Sequence, residues 1–313
     1  MSRINRVEQI SSSAVDAATR VVLIAFTAFT LLATSALLGG AAATDRYFAW
    51  TIRAEPNSAF LGAAYGAGFV LSALALRRDR WSQIRVGVVT VTVFAVLTLA
   101  ATSIHMHRLH LMTGGPMARF AAWVWLTVYI VISVACVIVV GRQERRGRGS
   151  EAVRRPMPVW LTALLAAQGV ILCAAGAVLF FGDTTVHHMA ASATGFWPWP
   201  LTPLTAQAIG VWLMSLGFAA AAAIWQRDLS RLLLPAVTYA AFGAFELLVA
   251  LRYRAQMSAD DGWLWAYVTV LIAIVATGGY GWWAARRSIE AARVRRPARR
   301  RAGVRAGAPA AHL

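Results

Sequence analysis

The amino-acid sequence predicts an all-α, polytopic membrane protein with eight transmembrane helices that form two parallel four-helix repeats. Its composition is the first reason: 59% of the residues are hydrophobic, only 14% are charged, and the mean hydropathy is +0.59. A soluble protein of this length would carry about a quarter charged residues. The second reason is a series of apolar runs of about 20 residues, the length that crosses a bilayer as a helix. None alternates as a membrane β-strand does.

The first apolar run is Val21–Gly40. The Ala41-Ala42-Ala43 segment after it is typical of a signal-peptidase site, but the preceding stretch is long and contains Glu8 and Asp16, which favours an uncleaved span. The seven further predicted spans are Ser58–Leu76, Val86–Ile104, Phe120–Val140, Val159–Phe181, Leu204–Trp225, Leu232–Leu251 and Trp263–Trp283.

The distribution of arginine predicts the orientation. All 30 basic residues are arginine, and this absence of lysine indicates a GC-rich bacterial source. Twenty-four of them fall in the N-terminal segment, the even-numbered links and the C-terminal tail, and six fall in the odd-numbered links. Arginine-rich segments stay in the cytoplasm. We therefore expect a multi-pass protein of the bacterial cytoplasmic (inner) membrane with both termini inside.

Recurring residues predict an internal duplication. We expect a cytoplasmic segment 1–20, a first repeat 21–141, an arginine-rich linker 142–157, a second repeat 158–285 and a disordered basic tail 286–313. The matches follow one order in both halves: Gly68-Phe69 with Gly217-Phe218, Arg85 with Arg231, Arg108 with Arg254, and Trp123-Val124-Trp125 with Trp263-Leu264-Trp265. Because each unit has an even number of spans, both would have the same orientation.

The stretch Gly195–Leu204 contains two tryptophans and three prolines between two predicted spans. Three prolines in six residues cannot form the interior of a helix, because each lacks an N–H donor and clashes with the preceding turn. Thr202-Pro203, however, is a favourable helix start. Tryptophan favours the boundary between hydrocarbon and water. We expect Trp197 and Trp199 to lie in that boundary layer and to fix where the sixth span begins.

Glu246 is the only carboxylate well inside a predicted span. An ionisable group at that depth is by default a functional-site hypothesis, because desolvating it is costly. The spacing of the arginines pairs Glu246 with Ala100 in the first half. Arg108, Arg252 and Arg254, near the outer ends of spans 3 and 7, are candidate contacts for an anion. The alternatives are a carboxyl hydrogen-bonded between helices and arginines that reach lipid headgroups.

Five histidines fall on the predicted outer side, accompanied by methionines: His105, His107, His110, His187 and His188. Imidazole with thioether suits copper, and two histidines could hold a haem. The spacing matches no standard zinc motif, and interfacial histidines explain the pattern equally well. Cys136 and Cys173 both lie in apolar runs and indicate no disulfide.

No nucleotide-binding, nucleophile or metalloprotease motif occurs, which favours a protein that is not an enzyme. The arginine run at 293–301 could contact anionic lipids, whereas nothing indicates nucleic-acid binding. We expect a small carrier or permease with a polar, outward-opening cavity between the repeats, lined by spans 3 and 7. A non-catalytic scaffold or accessory subunit in envelope assembly and a membrane redox protein using the outer histidines are the alternatives. A homo-oligomer is compatible with each.

Overall fold

The computed structural model of the chain describes residues 14–146, 155–182 and 195–306, with backbone alone for 292–306. Eight helices in these segments are long and apolar enough to cross a membrane. The prediction of a helical, multi-pass membrane protein with eight spans is therefore confirmed. We number these helices α1 (Ala17–Gly39), α2 (Glu55–Ala75), α3 (Trp81–Ile104), α4 (Pro116–Arg146), α5 (Val159–Phe181), α6 (Pro203–Gln226), α7 (Leu233–Arg252) and α8 (Gly262–Ala306).

Six helices end within five residues of the predicted bounds, whereas α4 and α8 are longer. The helix α4 continues to Arg146, and α8 continues to Ala306, so the predicted tail 286–313 is helical rather than disordered up to that residue. Arginine, alanine, glutamine and glutamate have high helix propensity, which lets a helix continue beyond its apolar part.

The links between helices form two ends of the bundle. At the Trp-Pro end, named for Gly195–Leu204, His110 N–H donates to the carbonyl of Ala49 at 2.9 Å, which joins the α3–α4 and α1–α2 links. At the arginine-rich end, Val15 N–H donates to the carbonyl of Asp79 at 2.9 Å, and Met157 N–H donates to that of Arg227 at 3.2 Å.

Asp16 caps α1 at the arginine-rich end. Its carboxylate accepts hydrogen bonds from the Thr19 N–H and hydroxyl at 2.8 and 2.6 Å, and it pairs with Arg146 at 3.2 Å. Partial burial raises the pKa of Asp16, but the Thr19 hydrogen bonds and the charges of Arg146 and Arg142 outweigh it and hold the pKa below its usual value. The folded state therefore favours the ionised cap.

The helices pack in a regular pattern. The most extensive contacts within each half are α1 with α2 and α3 with α4, then α5 with α6 and α7 with α8. Between the halves, α2 packs on α7 and α6 packs on α3. Helices α2 and α6 are the most buried of the eight and form the centre of the bundle.

An aromatic cluster fills the first half near the Trp-Pro end. The rings of Phe29, Tyr65, Trp125 and Tyr129 lie 4.7–6.2 Å apart, and their edge-on or tilted orientations are those that aromatic pairs favour. The hydroxyls of Tyr65 and Tyr129 are hydrogen-bonded to each other, so two buried polar groups satisfy one another.

Trp197 and Trp199 precede the start of α6, as predicted, but their rings face the interior of the protein. Both are buried, with 7% and 4% of their surface exposed. The Trp199 Nε1–H donates to Asn57 Oδ1 at 2.6 Å, and Asn57 Nδ2–H donates to the carbonyl of Pro200 at 3.0 Å. Because the start of α2 offers a buried amide, the stretch turns inward. The predicted start of α6 is confirmed, with Thr202 at the N-cap position and Pro203 as the first helical residue. The Thr202 hydroxyl donates to Thr205 Oγ1 at 2.8 Å and makes no capping bond to a backbone N–H.

Candidate functional site

Glu246 lies wholly buried in α7, with 0% of its surface exposed. It is six residues before the last residue of the helix, about 9 Å from that end. Its Oε2 accepts a hydrogen bond from the Tyr267 hydroxyl of α8 at 3.4 Å. Its Oε1 has no hydrogen-bond partner among the described residues. A buried carboxyl with one unsatisfied oxygen is costly, and it marks this position as the main candidate for a binding site.

Close packing of α7 on α8 brings Glu246 and Tyr267 together. Gly243 lies one turn before Glu246, and a β-carbon there would come within 3.0 Å of the Leu271 carbonyl and 2.9 Å of the Ile274 side chain. Only glycine leaves room for this approach. A small residue thus positions the Tyr267 hydroxyl at hydrogen-bonding distance from the carboxyl group.

A cavity of about 190 Å³ borders Tyr267, whereas Glu246 itself does not line it. It is almost entirely apolar. Phe242, one turn before Glu246, forms part of its wall. Ile171 lies at its rim with 51% of its surface exposed, so the cavity opens beside α5 to the outside of the bundle. The remaining wall consists mainly of Phe60, Leu172, Phe196, Trp197, Leu213, Trp263, Leu271 and Ile274.

Aromatic rings dominate the part of the wall nearest Glu246. The Tyr267 ring lies 5.5 Å from both Trp197 and Trp199, and the two tryptophan rings are 5.4 Å apart. The Trp197 Nε1–H is buried and has no acceptor among the described residues. The site therefore offers π-faces, one unused N–H donor and, behind Tyr267, one carboxyl group.

This cavity differs from the polar cavity between spans 3 and 7 that the sequence predicts. Its wall is apolar, it is formed mostly by α5 to α8, and α3 contributes no residue to it.

The three arginines predicted to contact an anion do not lie in one site with Glu246. Arg108 and Arg254 lie in short 3₁₀ turns after α3 and α7, and both are exposed. Arg252 ends α7 and lines a separate groove between α1, α2 and α7. Among the residues that the structure describes, the three arginines therefore do not converge on one cavity with Glu246.

The predicted histidine cluster is only partly described. His110 bonds to the Thr51 hydroxyl and the Phe48 carbonyl, both at 3.1 Å, so it positions the α1–α2 link. The rings of His105 and His107 are 6.1 Å apart. His187 and His188 lie outside the described residues. Within 14–146, 155–182 and 195–306, no three His, Cys, Asp or Glu side chains form a group that could hold a metal ion.

The residues that sequence reasoning missed are those that surround Glu246. Tyr267 lies in an apolar span, and no pattern distinguishes it from a core residue before the packing of α7 on α8 is known. Trp197 was predicted at the membrane boundary, and Ile171 lies in a uniformly apolar run. The proximity of Tyr267 and Glu246 to the same end of the bundle was the one available signal.

Comparison of the chain with protein-family models, with curated proteins and with solved structures finds no match in any of the three.

Proposed function

We propose that this protein is a carrier that exchanges protons for a small organic cation at the cavity beside Glu246. The observation that carries the proposal is the buried carboxyl group, with one oxygen bonded to Tyr267 and the other without a partner among the described residues. A carboxyl group releases a proton when a cation binds and regains one when the cation leaves. This competition would couple transport to a proton gradient.

The wall of the cavity supports an organic cation with an apolar body. Aromatic faces such as those of Trp197 and Tyr267, which line the cavity, attract cations, and aromatic cages typically recognise quaternary ammonium groups. A cavity of about 190 Å³ limits the solute to a small molecule. The opening beside Ile171 lies in the membrane-spanning part of α5, which favours a solute that partitions into hydrocarbon.

The packing pattern supports the duplication as part of this proposal. If the first four helices are exchanged with the last four, each extensive contact becomes another extensive contact. The contact of α1 with α2 becomes that of α5 with α6, the contact of α3 with α4 becomes that of α7 with α8, and the contact of α2 with α7 becomes that of α6 with α3. Two glycines match in detail. A β-carbon at Gly62 would meet Leu37 and Leu38, and one at Gly210 would meet Leu179 and Phe180. We therefore pair Gly62 with Gly210, 148 residues apart.

The burial of α3 and α7 supports the same spacing of 148 residues. The buried residues Phe94, Ala95, Thr98, Ala101 and Thr102 correspond to the buried residues Phe242, Gly243, Glu246, Val249 and Ala250. This spacing pairs Glu246 with Thr98 rather than with Ala100. The first copy would then hold a hydroxyl where the second holds an acid.

The pairing of α1 with α5 suggests how the second copy gained a cavity. In α1 and α5, the buried residues Thr19, Leu23 and Leu37 match Leu161, Leu165 and Leu179, which are 142 residues later. The same spacing pairs Phe29 with Ile171. Phe29 packs on Tyr65, Trp125 and Tyr129, whereas Ile171 borders the cavity. Loss of one ring would leave the space that the solute occupies.

The proposed orientation places the Trp-Pro end outside the bacterial cytoplasmic membrane. The described arginines Arg20, Arg85, Arg146, Arg227 and Arg231 at the opposite end support it through the positive-inside rule. Labelling of a single cysteine introduced at Asp261 with a membrane-impermeant reagent in intact cells tests it. Labelling only after the cells are broken would reverse the orientation.

Transport in proteoliposomes tests the function. We expect benzyltrimethylammonium to be taken up faster with a proton gradient than without one, and we expect Glu246→Gln to abolish the gradient-dependent part. Glu144→Gln is the matched control, because Glu144 pairs with Arg85 at the arginine-rich end, at 2.6 Å, far from the cavity. Equal uptake by the Glu246→Gln variant would rule out exchange at this carboxyl group.

A further inference from the structure

A groove between α1, α2 and α7 has a charged side chain in its wall. Its volume is about 430 Å³. Its floor is the small-residue face of α2, including Ala59, Ala63 and Gly66, and it extends along α2 from Ala59 to Val70. The eleven residue-to-residue steps from Ala59 to Val70 correspond to a length of about 16 Å along the helix. The groove is thus long and narrow, and it runs with the helix axis.

The groove opens sideways out of the bundle. Its two rims are Leu38 of α1 and Leu248 of α7, with 41% and 61% of their surface exposed. Thr34 and Phe245 form the walls between rim and floor. All of these residues lie in membrane-spanning helices, so the opening faces hydrocarbon. An occupant would therefore come from the bilayer and be apolar along most of its length.

One end of the groove is positively charged. Arg252 is the only charged residue that lines it, and it lies at the Trp-Pro end, where α7 stops. Its guanidinium lies over the ring of Tyr253, 5.6 Å from the centroid, and it forms no ion pair with a described residue. Cation–π contact leaves the N–H groups at the edge of the guanidinium available to an anion.

We propose that this groove binds one molecule of an anionic phospholipid, with an acyl chain along α2 and the phosphate at Arg252. Charge complementarity supports this occupant: arginine binds phosphate oxygens in a bidentate manner, and the apolar groove begins directly beside it. The length of the groove matches a chain that starts near the membrane surface and reaches Val70, in the second half of α2. The site is separate from the cavity beside Glu246, and it does not depend on the proposed transport activity.

The second half of the chain shows what a filled groove looks like. The spacing of 148 residues that pairs Gly62 with Gly210 also pairs Ala63 with Val211 and Gly66 with Met214. Both larger residues are buried against the neighbouring helices of α6. The chain itself therefore supplies the substitutions that should close the groove: Ala63→Val together with Gly66→Met.

Native mass spectrometry of the detergent-purified protein tests the site, with phosphatidylglycerol and phosphatidylcholine as probes. We expect one tightly bound phosphatidylglycerol for the native chain and at least about tenfold weaker binding for Arg252→Gln, because a charge-assisted hydrogen bond is lost. Arg254→Gln is the matched control, since Arg254 lies two residues further on and does not line the groove. It should bind as the native chain does.

The groove-filling double variant should lose phosphatidylglycerol and phosphatidylcholine alike. Leu248→Trp covers the opening from an exposed rim position, so it tests the same point if the double variant does not fold. Inorganic phosphate should not compete, because it offers no chain. Binding unchanged in Arg252→Gln and Leu248→Trp would overturn the proposal. The proposal would also be overturned if the native chain were a dimer and the double variant a monomer, because the groove would then be occupied by a second copy of the chain.

Discussion

The hydrogen bonds of Asn57 should be essential for joining the two halves at the Trp-Pro end. Asn57 is buried, with 1% of its surface exposed. Its amide bridges two groups more than 140 residues away, accepting from Trp199 at 2.6 Å and donating to Pro200 at 3.0 Å. The substitution Asn57→Ala removes both bonds and leaves the buried Trp199 N–H and the partly buried Pro200 carbonyl without these partners.

Two magnitudes bound the expected loss of stability. Hydrogen bonds between membrane helices contribute about 0.6 kcal/mol each on average. A buried group left unsatisfied costs about 1–3 kcal/mol in soluble proteins. Because the Trp199 bond is buried and the Pro200 bond is partly buried, we expect the two losses together to cost about 2–4 kcal/mol. Trp199→Phe alone should cost less, since it leaves the Pro200 bond intact.

Unfolding by sodium dodecyl sulfate, followed by tryptophan fluorescence, measures this loss. Ser58→Ala is the matched control, because Ser58 is the next residue of α2 and its hydroxyl donates to Leu37 within the same half, at 2.9 Å. We expect Asn57→Ala to be destabilised more than Ser58→Ala. The double variant Asn57→Ala/Trp199→Phe should show a coupling of about 1 kcal/mol. Additive effects, or an Asn57→Ala variant as stable as the native chain, would refute this account of the Trp-Pro end.

Three further predictions concern stability. Gly278→Ala should lower the free energy of unfolding by about 1–3 kcal/mol, because a β-carbon there would lie 2.6 Å from the backbone of α7. Gly279→Ala is the control: a β-carbon there would have no neighbouring atom within 4 Å, so the substitution should raise the free energy of unfolding by up to about 1 kcal/mol. Asp16→Ala should lower the free energy of unfolding by about 1 kcal/mol at neutral pH. Because the pKa of Asp16 is lowered in the folded state, the difference in stability between the native chain and the variant should shrink as the pH falls through that pKa. A difference that does not change with pH would contradict this prediction. Tyr65→Phe and Tyr129→Phe should couple by about 0.6–1.7 kcal/mol in a double-mutant cycle, and independent effects would contradict the shared hydroxyl bond.

The sequence predicts the spans well because hydrocarbon imposes a length and a composition on each helix. Val159–Phe181 agrees at both ends, and the start of α6 follows from Thr202 and Pro203. The same reasoning does not show what a tryptophan faces. Trp199 is buried because Asn57 offers it a buried acceptor 142 residues away, and such long-range pairing leaves no local pattern.

The candidate site could be predicted only at its centre. Glu246 is recognisable because a carboxylate in an apolar run is costly wherever the helix packs. Its partner Tyr267 depends on the close approach of α7 and α8 at Gly243, which a single sequence does not reveal. The pairing of Glu246 with Ala100 rests on arginines outside the spans, where insertions shift the spacing. Burial within α3 and α7 instead favours Thr98.

The release of protons on binding tests the central claim most directly. Purified protein in weakly buffered detergent solution would be titrated with benzyltrimethylammonium, and the pH would be followed with an indicator dye. At a pH at which Glu246 is protonated before the cation binds, the account predicts the release of close to one proton for each cation bound. The Glu246→Gln variant should release none, and the Glu144→Gln variant should release as many as the native chain. Cation binding without any release of protons, or equal release from Glu246→Gln, would contradict it.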